Sequence, residues 1–342
     1  MQYRYSLLAA AMLFLLAPIH AAAQTRDIET QLRQLPRREE TSQQRQVADR
    51  LLLLAEQQVA DGSYATAIRA WERALDIYAA LGDFATLETT YGQIGLAYAQ
   101  LGSYDQAEVA VRRQLAASRD NQNFSGQITA WNTLGSLALQ RGAVASAVAA
   151  YEEALSVAQS VQNYEGMGLA LSNLGLVAAA QQDYDTAISY YEAAGNYRIR
   201  AGNLAGRANT SNNLGNAYLA QNRLSEAIGA YRLALSYGQD IDDTLTQLQA
   251  IDGLIKAYSL RQNWEQVQSY LDERIALTLG QNDRWQWLLT YQRLGDFYRA
   301  TEQFALAQEQ YELALGLARE LNRPQLEGLL YNQLLLVESR QR

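Results

Sequence analysis

One apolar column limits what this chain can fold into. Leu54, Ile94, Leu134, Leu174, Leu214, Leu254, Leu294 and Leu334 stand forty residues apart, with no insertion or deletion between them. Self-similarity at such a period is the mark of a repeat architecture, in which each unit is one supersecondary element that buries its apolar face against its neighbours. Inside the unit the period is helical. Ile94 and Tyr98 lie four apart, as do Tyr91 and Gly95, which gives one stripe on a first helix. After a short polar turn at Gly102 or Gly142 a second stripe runs through Tyr104, Ala107, Val111 and Leu115. It recurs as Tyr64, Ala67, Trp71, Leu75, as Tyr184, Ala187, Tyr191, and as Leu224, Ala227, Tyr231, Leu235.

The units close on polar turn formers such as Gly82-Asp83, Gln162-Asn163, Gly202-Asn203 and Asp242-Asp243. Each unit therefore reads as a helical hairpin with turns of about 2–4 residues. Prolines are confined to Pro18, Pro36 and Pro324, so long stretches carry no helix breaker. A length of 342 residues suggests two domains at roughly 150 residues each. The register instead reads as an all-α solenoid of antiparallel helix hairpins. Its seven repeats are expected at 44–83, 84–123, 124–163, 164–203, 204–243, 244–283 and 284–323, with a C-terminal capping helix over 324–342. Residues 24–43 form a polar leader, read either as disordered or as a short capping helix that folds Ile28, Leu32 and Leu35 over Leu52 and Leu53. At the other end, Tyr331, Leu334, Leu335 and Val337 are expected to close the core.

Small residues mark where helices cross. Gly95, Gly135, Gly175, Gly215 and Gly295 sit in mid-helix, where glycine costs about 1 kcal/mol relative to alanine and is retained if a neighbour approaches closely. The column Ala67, Ala107, Ala147, Ala187, Ala227, Val267 and Ala307 says the same of the second helix. The tyrosines, including Tyr151, Tyr191, Tyr231, Tyr311 and Tyr331, fall in the core columns.

Residues 1–23 carry Arg4, an apolar run from Leu7 to Ile19 and the small residues Ala21, Ala22 and Ala23. This is the layout of a secretory signal peptide, with cleavage expected between Ala23 and Gln24. Its apolar run is shorter than the roughly 20 residues of a membrane span. A periplasmic or secreted protein without stable membrane insertion after cleavage is the expectation, and a retained N-terminal anchor is the alternative. Cleavage would remove His20, the single histidine of a chain with no cysteine. Ser-His-Asp triads, Cys-His pairs, zinc sites with nitrogen or sulfur ligands and haem held by His or Cys are then excluded. No cofactor or metal is expected. The net charge of −8 disfavours nucleic acid and anionic lipid as partners.

The repeat residues resemble the tetratricopeptide repeat family. Its W-x2-L-G-x2-Y…A-x3-F pattern appears as Trp131-x2-Leu134-Gly135, as Leu214-Gly215-x2-Tyr218…Ala227-x3-Tyr231, and as Tyr291-x2-Leu294-Gly295-x2-Tyr298…Ala307-x3-Tyr311. The forty-residue period is similar to that of the longer-helix branch seen in kinesin light chains. The sixth unit departs most, with Asp252-Gly253-Leu254-Ile255 in place of the Leu-Gly pair and Val267 in the alanine column, which implies a wider crossing there. The resemblance implies a right-handed superhelical solenoid whose first helices line a concave groove that holds an extended peptide or a partner helix. The family's carboxylate clamp uses lysines with asparagines, whereas Lys256 is the one lysine here.

Helical phase at about 100° per residue sets one stripe of the first helices opposite the core. It gathers Asn132, Asn173, Asn209, Asn212, Asn213 and Asn216, then Lys256 and Arg293 toward the C-terminus. An asparagine amide both donates and accepts, so it can pair with a peptide unit of any sequence. The expected function is a non-catalytic protein–protein interaction scaffold that binds polypeptide in this groove. The alternative is an envelope- or polysaccharide-associated assembly factor using the same groove, with Trp285 and Trp287, which lie outside the strongest columns, as surface aromatics. Gly166-Met-Gly168 lacks the Lys-Ser/Thr end of a phosphate loop, and Glu152-Glu153 and Asp242-Asp243 read as solvated charge.

Overall fold

The computed structural model describes residues 38–279 and 283–341, with side chains described from residue 41; the expected signal peptide and residues 24–37 of the leader lie outside them. Fifteen α-helices and no strand occur among the described residues. The chain divides into two compact units, Met1–Thr90 and Tyr91–Arg342.

In the first unit, α1 (Arg38–Ala60) pairs with α2 (Tyr64–Leu81). The helix begins six residues before the repeat boundary expected at 44. Its Ala48, Leu51 and Ala55 are buried with Trp71 and Tyr78 of α2, whereas Val47, Leu53 and Leu54 are exposed. The first member of the forty-residue column is thus not a core residue, because no earlier helix covers it among the described residues. Asp83 accepts from Arg45 at 2.6 Å and Tyr78 donates to Asp49.

α3 (Phe84–Gln100) runs across the division between the units. The second unit continues as α4 (Tyr104–Asp120), α5 (Phe124–Gln140), α6 (Val144–Ser160), α7 (Tyr164–Ala180), α8 (Tyr184–Ala201), α9 (Leu204–Ala220), α10 (Leu224–Asp240), α11 (Thr244–Leu260), α12 (Trp264–Leu279), α13 (Arg284–Ala300), α14 (Phe304–Glu320) and α15 (Pro324–Gln341). From α4 onward each helix packs on the next, and successive first helices also meet, α5 with α7, α7 with α9 and α9 with α11.

Both kinds of small residue are packing devices. Ala107, Ala147, Ala187, Ala227 and Ala307 have no exposed surface, and Val267 is 1 % exposed. A Cβ built on Gly175 or Gly215 would stand 2.6 Å from the ring of Tyr191 or Tyr231, and one on Gly295 2.6 Å from the ring of Tyr311. Gly95 meets Val111 in the same way at 2.6 Å. Glycine is thus the recess into which the second helix inserts a large side chain. The sixth unit exchanges the pair, with Ile255 in the glycine column and Leu271 in the tyrosine column, both in one apolar cluster. Gly253 also faces the Tyr231 ring of the preceding unit, which a Cβ built there would strike.

The C-terminal helix closes the core with Leu330, Leu334 and Val337, whose exposure is 7 % or less. Tyr331 and Leu335, expected in this role, are 53 % and 47 % exposed. They occupy the face that a second helix covers in the complete units, and α15 has no such partner among the described residues.

Candidate functional site

The asparagine stripe divides into two kinds of residue. Asn132 is buried, donating to the Ile128 carbonyl of its own helix at 2.9 Å and accepting from Asn173 at 2.8 Å. Asn212 is also buried and reaches the Thr246 carbonyl of α11 at 3.3 Å. Asn132 is not groove-facing, contrary to the single-helix phase, because the neighbouring first helix comes close enough to cover it; Asn212 is covered in the same way, with its side chain at the edge of a cavity between α9, α11 and α13. Ser172 and Thr210 pair in the same seam at 3.1 Å. Asn209 and Asn216 are exposed, and Asn173 and Asn213 half-buried.

Five of the eight predicted residues come together further along. A cavity of about 380 Å³ is lined by Asn212, Asn213 and Asn216 of α9, by Gln249, Asp252, Gly253 and Lys256 of α11, by Arg293 of α13 and by Tyr231 of α10. Asn132, Asn173 and Asn209 are not part of its lining. The glycine matters here, since a side chain at 253 would displace the Tyr231 ring that forms the cavity floor. Burial pushes the Tyr231 phenol well above its ordinary range, so it stays a neutral donor; its hydroxyl donates to Asn216 Oδ1 at 2.7 Å. That bond turns the Asn216 amide so that its NH₂ is available to a ligand. Asn212 Oδ1 is buried with no partner. A buried acceptor left unpaired costs roughly 1–3 kcal/mol, which an N–H donor entering the cavity would recover.

The charges of the cavity are unequal. Lys256 is exposed and Arg293 half-buried, while the Asp252 carboxylate accepts from Arg293 Nε at 3.3 Å and from Arg274 Nε at 2.9 Å. The lining sets Asp252 against Lys256 and Arg293, and Arg274 backs the same carboxylate, so the lining is net positive within a chain whose net charge is −8. A second cavity of about 240 Å³ shares Asp252, Lys256 and Arg293 and extends the same surface to Trp264 and Phe297 and to the Asp296–Arg299 pair, whose charges offset each other at 3.9 Å. Apolar wall, amide donors, an unpaired acceptor and two cations suit a ligand with both peptide-like N–H groups and an anionic group.

Gln249, Asp252 and Gly253 stand on the same stripe of helical phase as Lys256, whereas Tyr231, read from the sequence as a core residue, was missed as a lining residue. The Asp252-Gly253 departure in the sixth unit was the signal that carried two of the cavity's features. A larger cavity of about 600 Å³ between α4, α5 and α6 contains none of the predicted residues. Three of its four charged lining residues pair, with Glu108 accepting from Arg112 at 2.8 Å and from Arg141 at 2.5 Å. Of the two predicted surface aromatics, Trp285 lies 5.3 Å below the Arg323 guanidinium and Trp287 stacks on Tyr291 at 5.7 Å. Among the described residues no helix is long and apolar enough to cross a membrane, and no group of three or more His, Cys, Asp or Glu is placed to hold a metal ion.

Comparison with known proteins agrees with this architecture. Two family models, both described as Tetratricopeptide repeat, match residues 126–194 and 166–239 in one case and 88–121 and 289–321 in the other, together just over half of the chain. A Signal Transduction ATPase with Numerous Domains protein with a tetratricopeptide repeat sensor, from Pyrococcus horikoshii, superposes with a TM-score of 0.65 at 16 % identity. That match covers 82 % of this chain and 44 % of the Pyrococcus protein, so the chain spans less than half of that relative's length. BtubC from P. vanneervenii matches at TM-score 0.58 and 21 % identity over 66 % of this chain and 91 % of its own. A tetratricopeptide repeat protein from Parabacteroides merdae matches at 0.52 and 15 % identity over 86 % and 99 %. Identities this low carry the fold alone. No curated protein matches the chain significantly. On the register, the hairpin packing and the matched models together, the chain belongs to the tetratricopeptide repeat family.

Proposed function

We propose that this protein is a non-catalytic binding scaffold that holds an extended polypeptide on its first-helix face, with the cavity between α9, α11 and α13 as the anchoring point. The observation that carries the reading is the meeting of Asn213, Asn216, Lys256 and Arg293 around the unpaired Oδ1 of Asn212. Main-chain groups of the ligand pair with the asparagine amides, each bond netting about 0.5–1.5 kcal/mol. An acidic side chain of the ligand sits between Lys256 and Arg293. The anchor is one lysine and one arginine on different helices rather than a lysine clamp. Tetratricopeptide repeat proteins generally mediate protein–protein interaction, which supports the class of partner. The leader at 1–23 supports an extracytoplasmic setting, and N-terminal sequencing of exported protein is expected to begin at Gln24.

The test is selection of peptides from a displayed random twelve-residue library on the purified protein, followed by calorimetry. Selected sequences are expected to be enriched in Asp or Glu and to lose about tenfold or more in affinity to Asn213→Ala/Asn216→Ala and to Lys256→Ala. Peptides that bind both variants at full strength would place recognition elsewhere on the molecule.

A further inference from the structure

Arg274 lies behind the cavity and is not part of its lining, yet it decides the charge the cavity presents. It has no exposed surface. From α12 its Nε donates to Asp252 Oδ1 at 2.9 Å and its Nη2 to Asp252 Oδ2 at 3.4 Å. Its remaining donors reach α13, to the Gln286 carbonyl and to Gln286 Oε1 at 3.3 Å each, and to Thr290 Oγ1. In the other described units of this column, alanine occurs at 74, 154, 194, 234 and 314 and glutamine at 114. A buried guanidinium without a counter-charge is strongly disfavoured, so Asp252 is committed to Arg274. Arg293 Nε touches the same Oδ1 at the longer distance of 3.3 Å.

We propose that Arg274 is the positioning residue of the cavity. It neutralises Asp252, which leaves Lys256 and Arg293 with uncompensated positive charge toward the ligand, and it pins α13 so that Arg293 stands opposite Lys256 of α11. The inference rests on the reading that the cavity takes a carboxylate. Removing Arg274 alone releases the Asp252 charge onto Arg293 and against the incoming anion. Removing both Arg274 and Asp252 cancels the effect, because no net charge is lost.

Lys256 is the one lysine of the chain, so reductive methylation with ¹³C-formaldehyde places a charge-preserving NMR reporter in the cavity, resolved from the terminal amine. The probe is N-acetylglutamate N-methylamide, titrated against wild type, Arg274→Met, Arg274→Lys and Asp252→Asn/Arg274→Met, each checked for helicity by circular dichroism. Expected is saturable perturbation of the Lys256 signal in wild type, about tenfold weaker in Arg274→Met, and restored in both the lysine variant and the double variant. Equal affinity in wild type and Arg274→Met would overturn the positioning role. A folded double variant as weak as Arg274→Met would also overturn it, since Arg274 would then serve packing alone. If Arg274→Met does not fold, wild-type affinity in the double variant supports the proposal and a tenfold loss there refutes it. No response in any protein would overturn the carboxylate site itself, while peptide selection separately decides whether the first-helix face binds polypeptide.

Discussion

At the scale of single residues the repeat glycines are the clearest case of a local cost accepted for packing. Gly215→Ala gains helix propensity of about 1 kcal/mol, but its methyl group meets the Tyr231 ring, which is 1 % exposed. Overpacking wins, and the variant is expected to lose about 1–3 kcal/mol in urea unfolding. Gly229, which has nothing within 4 Å, gives the opposite expectation: Gly229→Ala should gain about 0.4–1 kcal/mol. Buried tyrosines add a pH dependence. Burial pushes the Tyr191 phenol up to about 12, above the value of about 10 in an unfolded chain. Folding therefore favours the neutral form, so this contribution is complete below pH 10 and is lost as pH rises from 10 toward 12. The urea midpoint of wild type should fall more steeply over that window than that of Tyr191→Phe. These columns were legible because each repeats forty residues on, and Tyr191 is recognisable from Tyr151 and Tyr231. Asn132 was misassigned because the phase of one helix says nothing of how near the next first helix lies. Arg274 escaped notice because a charged residue is rarely buried, and only the approach of Asp252 and Thr290 makes it so.

At the scale of elements, the turns show a regularity finer than the repeat. Residues with positive φ occur every twenty positions from Gly62 to Gln262, and again at Glu302 and Asn322. Five are glycines, but Gln122, Gln162, Gln182, Asn222, Asp242, Gln262, Glu302 and Asn322 adopt the left-handed region with side chains. That conformation costs a non-glycine residue roughly 1–2 kcal/mol. Gln182→Gly, at φ 64°, is expected to raise the melting temperature, with part of the relief returned as unfolded-chain entropy. Immediately after these turns the first helices are capped. Asp83, Asn123, Asn163, Asn203, Asp243 and Asp283 each accept from a backbone N–H two or three residues on, with Asn203 to Gly206 at 2.7 Å. Asn203→Ala should cost about 1 kcal/mol. The hydrogen bond from Thr246, with its backbone N–H, holds the Asp243 carboxyl below its usual range. Its contribution is present above the unfolded value and disappears as pH falls through the lowered one. The sequence marked these positions as turns from their Asn, Asp and Gly content. It left the capping role unread, and the glutamines gave no warning of left-handed backbone, because ring closure of the short turn and not residue preference imposes it.

At the scale of the whole molecule, the second unit is stabilised from neighbour to neighbour, as solenoids are. Leu288, Tyr311, Leu315, Leu330, Leu334 and Val337 form one cluster shared by the last three helices. Truncation after Arg323 would expose Leu288, Tyr311 and Leu315, and is expected to lower the urea midpoint and to speed hydrogen exchange in α13 and α14 ahead of α7 and α8. The long-range plan was legible because an unbroken register is a global property written locally. The end faces were not, since exposure of Leu54 or Leu335 depends on whether a further helix covers them, and none does among the described residues. The spacing of turns and caps has a genetic corollary. Deleting residues 124–163 would join Asn123 to Tyr164-Glu165-Gly166, and Asn123 already caps onto a glycine three positions ahead, just as Asn163 does. Unequal recombination between units therefore reseals its own junction, so a gene of this kind can change the length of its product in steps of one hairpin while every surviving boundary keeps its stereochemistry.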